Sequence, residues 1–278
     1  MDSSFHAGYS AVLQNALPLE SFGLTDIGRA RASNQDYFAL RPRLGLFTVG
    51  DGMGGHAGGE VASRLVLECV CDAIEHPQAG WAPGARPASR TSGRARFEEA
   101  LQLANRRLLL QVSNQPQLAG MGTTFAGLFF CGERAVIAHV GDSRVYRLRG
   151  RTLSQMTEDH SLFNDHLRAG LARPDEEHLF PYRNVITRAV GVDANLEVDV
   201  RIDAPEPGDV YLLCSDGLSG VVARSEILEL LRTERDLGRV ARRLVQRANA
   251  LGGPDNITAV LVRVADARAG LHRARRSN

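Results

Sequence analysis

Two stretches of helical periodicity interrupt a chain that otherwise reads as short apolar strands, and this order limits the folds open to it. Val61, Ala62, Leu65, Val66, Cys69, Val70, Ala73 and Ile74 recur at helical spacing, and a second run over about 96–113 places Phe97, Ala100, Leu101, Ala104, Leu108 and Val112 on one face. Two more helices are expected at about 224–232 and 236–250, the latter with Leu237, Val240, Ala241, Leu244, Val245 and Ala248 inward. Strands are expected from Ser21 onward, over 44–49, near 122–131, 134–140, 143–149 and 151–156, then near 197–203, 209–215 and 256–264. The gaps between the middle strands suit antiparallel hairpins and are too short for parallel crossovers. Strands and helices come in blocks, not in βαβ alternation, so the pattern predicts an α+β layered architecture.

The remaining segments set the boundaries. Residues 1–20 show no clear period and read as a leader, 21–265 as one domain, and 266–278 as a basic tail with His272, Arg273, Arg275 and Arg276. Residues 77–95 are rich in Pro, Gly, Ser and Thr and read as a surface loop. With 33 basic against 32 acidic residues the net charge is +1, which argues against a nucleic-acid or membrane-surface binder. No apolar run of membrane-spanning length and no secretion signal is recognisable, so no membrane insertion is expected. The four cysteines have no CxxC spacing and are too few for a disulfide framework, which fits reduced thiols in a cytoplasmic chain.

Five aspartates sit at the ends of apolar runs: Asp36, Asp51, Asp142, Asp216 and Asp255. Taken singly, each reads as turn chemistry, since Asp-Gly is common hairpin punctuation. Taken together they imply more. A layered sheet can bring its strand ends to one rim, and clustered carboxylates cannot all stay ionised without a counter-charge. Oxygen-only ligation suits Mg²⁺ or Mn²⁺ over zinc or copper. Two such ions about 3.5–4 Å apart lower the pKa of a shared water and clamp phosphoryl oxygens. No GxSxG, HExxH or Walker P-loop offers another chemistry. The glycines after Asp51 let backbone approach a metal, with the Gly52 carbonyl as a further ligand candidate.

The motifs in chain order carry a resemblance. They are Arg31-x-x-Asn34-Gln35-Asp36, Val49-Gly50-Asp51-Gly52-Met53-Gly54-Gly55-His56, Gly122-Thr123-Thr124, Ala138-His139-Val140-Gly141-Asp142-Ser143-Arg144, Thr157-Glu158-Asp159-His160-Ser161, Asn184 to Gly191, Leu213-Cys214-Ser215-Asp216-Gly217 and Gly253-Pro254-Asp255-Asn256-Ile257-Thr258. Over residues 20–264 the chain resembles the bacterial PP2C-type (PPM) metal-dependent protein serine/threonine phosphatases. The resemblance implies a four-layer α-β-β-α sandwich, two antiparallel sheets flanked by helix pairs. It implies two to three Mn²⁺ or Mg²⁺ ions. Asp51 would bridge two of them, the Gly52 carbonyl would hold the second, and Asp216 and Asp255 would complete the first. Asp36 would act through water, and Asp142 with Asp216 would hold a weaker third ion. Arg31 would bind the substrate phosphate, where a planar fork of donors suits phosphate oxygens.

Animal members carry a proton-donating histidine directly after the metal-binding Asp-Gly, and here that position is Met53. His56, three residues on, can serve as general acid or simply support the loop. His139 reads as a core histidine and His160 as a turn brace. Residues 161–190 fall where the family carries a flap, and its charges His166, Arg168, Arg173 and Asp175 read as solvated surface. The implied partners are phosphorylated proteins, including a Ser/Thr kinase and its targets, met by a monomer with no nucleic acid. A non-enzymatic binding module would lack metal aspartates, and none is missing. A nuclease would carry an extended basic surface, which the sequence lacks.

Overall fold

The computed structural model describes residues 17–54, 58–76, 92–182 and 184–266, with 177 and 178 described by backbone alone. Among the described residues, eleven strands are numbered in chain order. β1 (Leu19–Asp26), β7 (Arg144–Arg149), β8 (Thr152–Gln155), β10 (Val210–Cys214) and β11 (Ile257–Val264) form one antiparallel sheet in the order β1-β11-β10-β7-β8. β2 (Asp36–Arg41), β3 (Leu46–Met53), β5 (Phe125–Cys131), β6 (Arg134–Val140) and β9 (Asp199–Asp203) form the other, in the order β2-β3-β5-β6-β9, with the two-residue β4 (Gly122–Thr123) paired to the end of β3.

Strand alternation builds three cores from these two sheets. In β10, Tyr211 and Leu213 point at the opposite sheet, while Val210, Leu212 and Cys214 point outward under helices. Because both faces are covered, the strands read as nearly unbroken apolar runs and not as a clean polar alternation. The layer between the sheets holds Phe47, Val49, Leu128, Ile137, Val145, Val260 and Val262, and Phe130 meets Tyr211 edge-to-face at 5.7 Å across it. α1 (Gly58–Glu75) and α2 (Gly93–Asn114) pack their apolar faces on the second sheet. α5 (Arg224–Thr233) and α6 (Leu237–Ala250) pack on the first. The layers therefore run α-β-β-α, as the resemblance implies.

Two features of the sequence reading shift. The 77–95 segment does not stay loop to its end: Ser92 caps α2 by accepting from the Ala95 N–H, so the helix starts at Gly93, while 77–91 lies outside the described residues. The turn expected at Asp216 is a short helix, α4 (Asp216–Ser219), with Asp216 in its first turn. Within 160–190, α3 (Leu162–Arg168) follows Ser161, whose hydroxyl accepts from the Asn164 N–H. Of the outer segments, β1 begins at Leu19 and pairs with the end of β11, and residues 1–16 and 267–278 lie outside the described residues.

Candidate metal centre

The ends of β2, β3, β6, β10 and β11 carry the aspartates. Asp36 opens β2, and the antiparallel register sets it opposite Asp51 at the end of β3. The Asn34 side-chain oxygen accepts the Asp36 N–H at 3.1 Å and fixes the entry to the strand. Asp36 Oδ2 accepts from the Ser215 hydroxyl at 2.6 Å and the Thr258 hydroxyl at 2.7 Å, so the first sheet holds a buried carboxylate that the second sheet carries. Asp51 is fixed by backbone: its N–H donates to Thr124 Oγ1 at 2.9 Å, and its carbonyl accepts from the Thr124 N–H and the Thr123 hydroxyl. Gly52 follows at the point where α1 begins. A Cβ there would lie 2.0 Å from the Gly59 carbonyl oxygen, so only glycine lets helix and strand meet.

Asp142 sits in the turn between β6 and β7, Asp216 heads α4 after β10, and Asp255 precedes β11. Asp255 Oδ1 accepts from the Asn256 N–H at 2.8 Å, while Oδ2 accepts from the Arg31 guanidinium at 2.6 Å. Asn256 ties the Arg31 loop to this strand: its Oδ1 accepts the Gln35 N–H, and its Nδ2 donates to the Ile27 and Ser33 carbonyls.

The electrostatics are those of crowded acids. Burial, then the neighbouring Asp216 and Asp255, push the Asp36 carboxyl up to about 7, against the bonds from Ser215 and Thr258. Burial and Asp216 raise Asp142 to about 7. Burial, Asp36, Asp216 and Asp142 hold Asp51 well above the usual carboxylate range. Asp216 is raised by burial and Asp255. Arg31 is raised chiefly by its bond to Asp255 and is further favoured by Asp51 and Asp216. In Asp36, Asp51, Asp142 and Asp216 burial leads, which is the cost of negative charge held without compensation.

Two buried oxygens, Asp36 Oδ1 and Asp216 Oδ1, have no hydrogen-bond partner. Orphaned anionic oxygens facing other carboxylates, with no thiolate among them, are a donor set for a hard divalent cation. The residues present therefore fit Mn²⁺ or Mg²⁺. Asp255 stands apart from the others in being turned to Arg31.

Among the described residues, the trio whose ligand atoms lie within 4.8 Å of one another is elsewhere: His139, His160 and Asp199. Its geometry does not suit a shared ion. The two rings stack at 4.7 Å and 23°, so their in-plane lone pairs run side by side and do not converge. His160 Nδ1 accepts the Gly141 N–H, which leaves the ring proton on Nε2. The two histidines are thus buried and structural, as the sequence suggests. His56 lies outside the described residues. Ser215, Asn256 and Thr258 also belong to the site, though the sequence motifs that contain them assign them no role. Their signal was only adjacency to an aspartate, and their partners come from strands of the other sheet or from distant loops.

The family model for protein phosphatase 2C matches residues 28–262. The chain is similar to the serine/threonine phosphatase stp of Listeria monocytogenes, 36% identical over 241 residues that cover 86% of this chain and 93% of that one. It is similar to the serine/threonine protein phosphatase PstP of Mycobacterium tuberculosis, 37% identical over 242 residues, 87% of this chain and 44% of PstP. The crystal structure of the M. tuberculosis enzyme superposes with a TM-score of 0.80 at 35% identity, covering 89% of this chain and 99% of that one. The PstP catalytic domain in complex with two manganese ions superposes at 0.76, with the same identity and coverage.

Proposed function

The chain belongs to the protein phosphatase 2C family and is a protein serine/threonine phosphatase; from that premise we propose that it hydrolyses phosphoserine and phosphothreonine by direct attack of water at a binuclear or trinuclear Mn²⁺ or Mg²⁺ centre. The observation that carries this reading is the ring of five aspartates at the strand ends of both sheets, with Asp36 Oδ1 and Asp216 Oδ1 unpartnered. When bound, such cations supply Lewis acidity to the phosphoryl oxygens and make water acidic enough to attack at neutral pH. Asp51, the Gly52 carbonyl, Asp216 and Asp255 hold the two principal ions, Asp36 orders water beside them, and Asp142 with Asp216 holds the third. Arg31, whose side chain is 55% exposed at the mouth of the site, binds two phosphate oxygens with its fork. His56 protonates the leaving serine or threonine oxygen, directly or through water.

Residues 21–265 form the catalytic domain in this reading. The protein works as a cytoplasmic monomer and opposes a Ser/Thr kinase, with that kinase and its targets as substrates. Among the described residues no helix is long and apolar enough to cross a membrane.

The test is turnover of a phosphothreonine peptide. EDTA should abolish it and Mn²⁺ restore it, and Asp51→Asn or Asp216→Asn should each cost orders of magnitude with circular dichroism unchanged. Full activity in chelator would sink the metal mechanism. Wild-type rates in both variants would sink the ligand assignment.

A further inference from the structure

We propose that His160 is a positioning residue that fixes the Asp142 turn and thereby sets how tightly the third cation is held; the proposal rests on reading Asp142 as a ligand of that cation.

The chain needs help at this turn. β6 ends at Val140, and Gly141 leaves it with φ +99°, where a side chain would strike Thr124 at 2.7 Å. A backbone amide in that conformation drops out of the strand ladder, and a buried one must find another acceptor. His160 supplies it. Its Nδ1 accepts the Gly141 N–H at 3.1 Å, and its own N–H donates to the Gly141 carbonyl at 3.0 Å. Both backbone groups of the residue before Asp142 are closed by one histidine.

The other shoulder is gripped by the neighbour of His160. Asp159 takes Arg144, two residues after Asp142, in a fork of contacts at 2.8 and 2.5 Å. Between them the Ser143 and Thr124 hydroxyls meet at 2.7 Å. Asp142 is the residue in this bracket whose side chain is left to face the carboxylate rim.

The ring is built to stay put. It is 1% exposed, stacks on His139, and has the Asp199 carboxylate 3.4 Å from Nε2. Burial, with the His139 and Arg188 charges, pushes its pKa down to about 4, so the Nδ1 lone pair remains free to accept in neutral solution. The His160 carbonyl in turn accepts the Thr187 N–H at 2.9 Å, and Ser161 bridges Ile186. The Asp142 turn and residues 185–187 therefore share one anchor.

Two substitutions separate the roles of the ring. His160→Phe keeps the stacked plane and removes the acceptor. His160→Asn removes the plane and keeps an acceptor at the same distance along the side chain. Mn²⁺ binding to the full chain, followed by calorimetry and by electron paramagnetic resonance, should show the weakest ion loosened about 10–100-fold in H160F, as for other residues that orient a metal ligand. The two tighter ions should be unchanged, and H160N should stay near wild type. Asp142→Asn is the control. If D142N keeps the weak ion, the reading of Asp142 is wrong; if D142N loses it while H160F keeps it, this proposal is wrong.

Should H160F fail to fold, the wild-type chain still decides. The His160 ring nitrogen resonances should move during the weakest step of a Mg²⁺ titration, and resonances that stay fixed through that step overturn the proposal.

Discussion

At the scale of single residues, what distinguishes this site is that the exposed arginine at its mouth is already engaged. Arg31 reaches Asp255 at 2.6 Å, so the group proposed to bind phosphate is held at the rim by a proposed metal ligand. An arginine can do both because its fork has donors to spare, whereas a lysine brings a point charge and must choose. Arg31→Lys should therefore fall between wild type and Arg31→Ala. A lost charge-assisted bond is worth about 1.5–3 kcal/mol, which is about 10–100-fold in kcat/KM for the alanine variant. Phosphopeptide kinetics check this, and equal constants for wild type and R31A would remove Arg31 from the site. Manganese affinity should not fall in R31A, since Asp255 loses a competitor for its oxygen.

At the scale of elements, the aspartates work because strands stop where they do. Gly52 closes β3 against the first turn of α1, and the contact is backbone on backbone, which no rotamer change can relieve. Gly52→Ala should cost more than the about 1–3 kcal/mol typical of overpacking a core, seen as a large drop in melting temperature and weaker metal binding together. Unchanged melting would mean that the α1 junction adapts. Helix ends offer a milder check. Asp236 caps α6 by accepting the Arg239 N–H at 2.8 Å, and Asp236→Ala should cost about 1 kcal/mol in denaturant unfolding. These elements were largely legible in the sequence. α6 carries so regular an apolar stripe that its limits come out within a residue, β10 reads as an unbroken apolar run and β11 as a nearly unbroken one. The start of α2 and the short helix α4 were not legible, because a serine cap and a four-residue helix leave no period to detect.

At the scale of the whole molecule, the carboxylate ring makes stability depend on pH and on metal in opposite directions. Asp36 and Asp142 are raised to about 7, with Asp51 and Asp216 also raised. An unfolded aspartate releases its proton near about 4. Between those values these four carboxylates hold more protons in the folded chain than in the unfolded one, so in chelator their contribution to stability is full at low pH and falls as pH rises toward 7; they outnumber the two buried histidines, His139 and His160, whose lowered pKa works the other way. Bound cations favour the ionised carboxylates and should flatten or reverse that slope. Thermal melts at pH 5, 6, 7 and 8, in EDTA and in Mn²⁺, check both limbs, and a melting temperature in EDTA that climbs with pH would contradict the crowding of acids described above.

Sequence alone determined the kinds of element, their order and the ligand chemistry, because periodicity, turn residues and motif spacing are local and survive without a fold. What only the tertiary structure decided is which charge each carboxylate meets. Asp36 takes its hydroxyl from Thr258, 222 positions away, and Asp255 takes Arg31 from 224 positions away. The first pairing arises where the two sheets close on one another and the second where the distant strands β1 and β11 pair within one sheet, and a contact made only on folding leaves no trace in the spacing of the residues that make it.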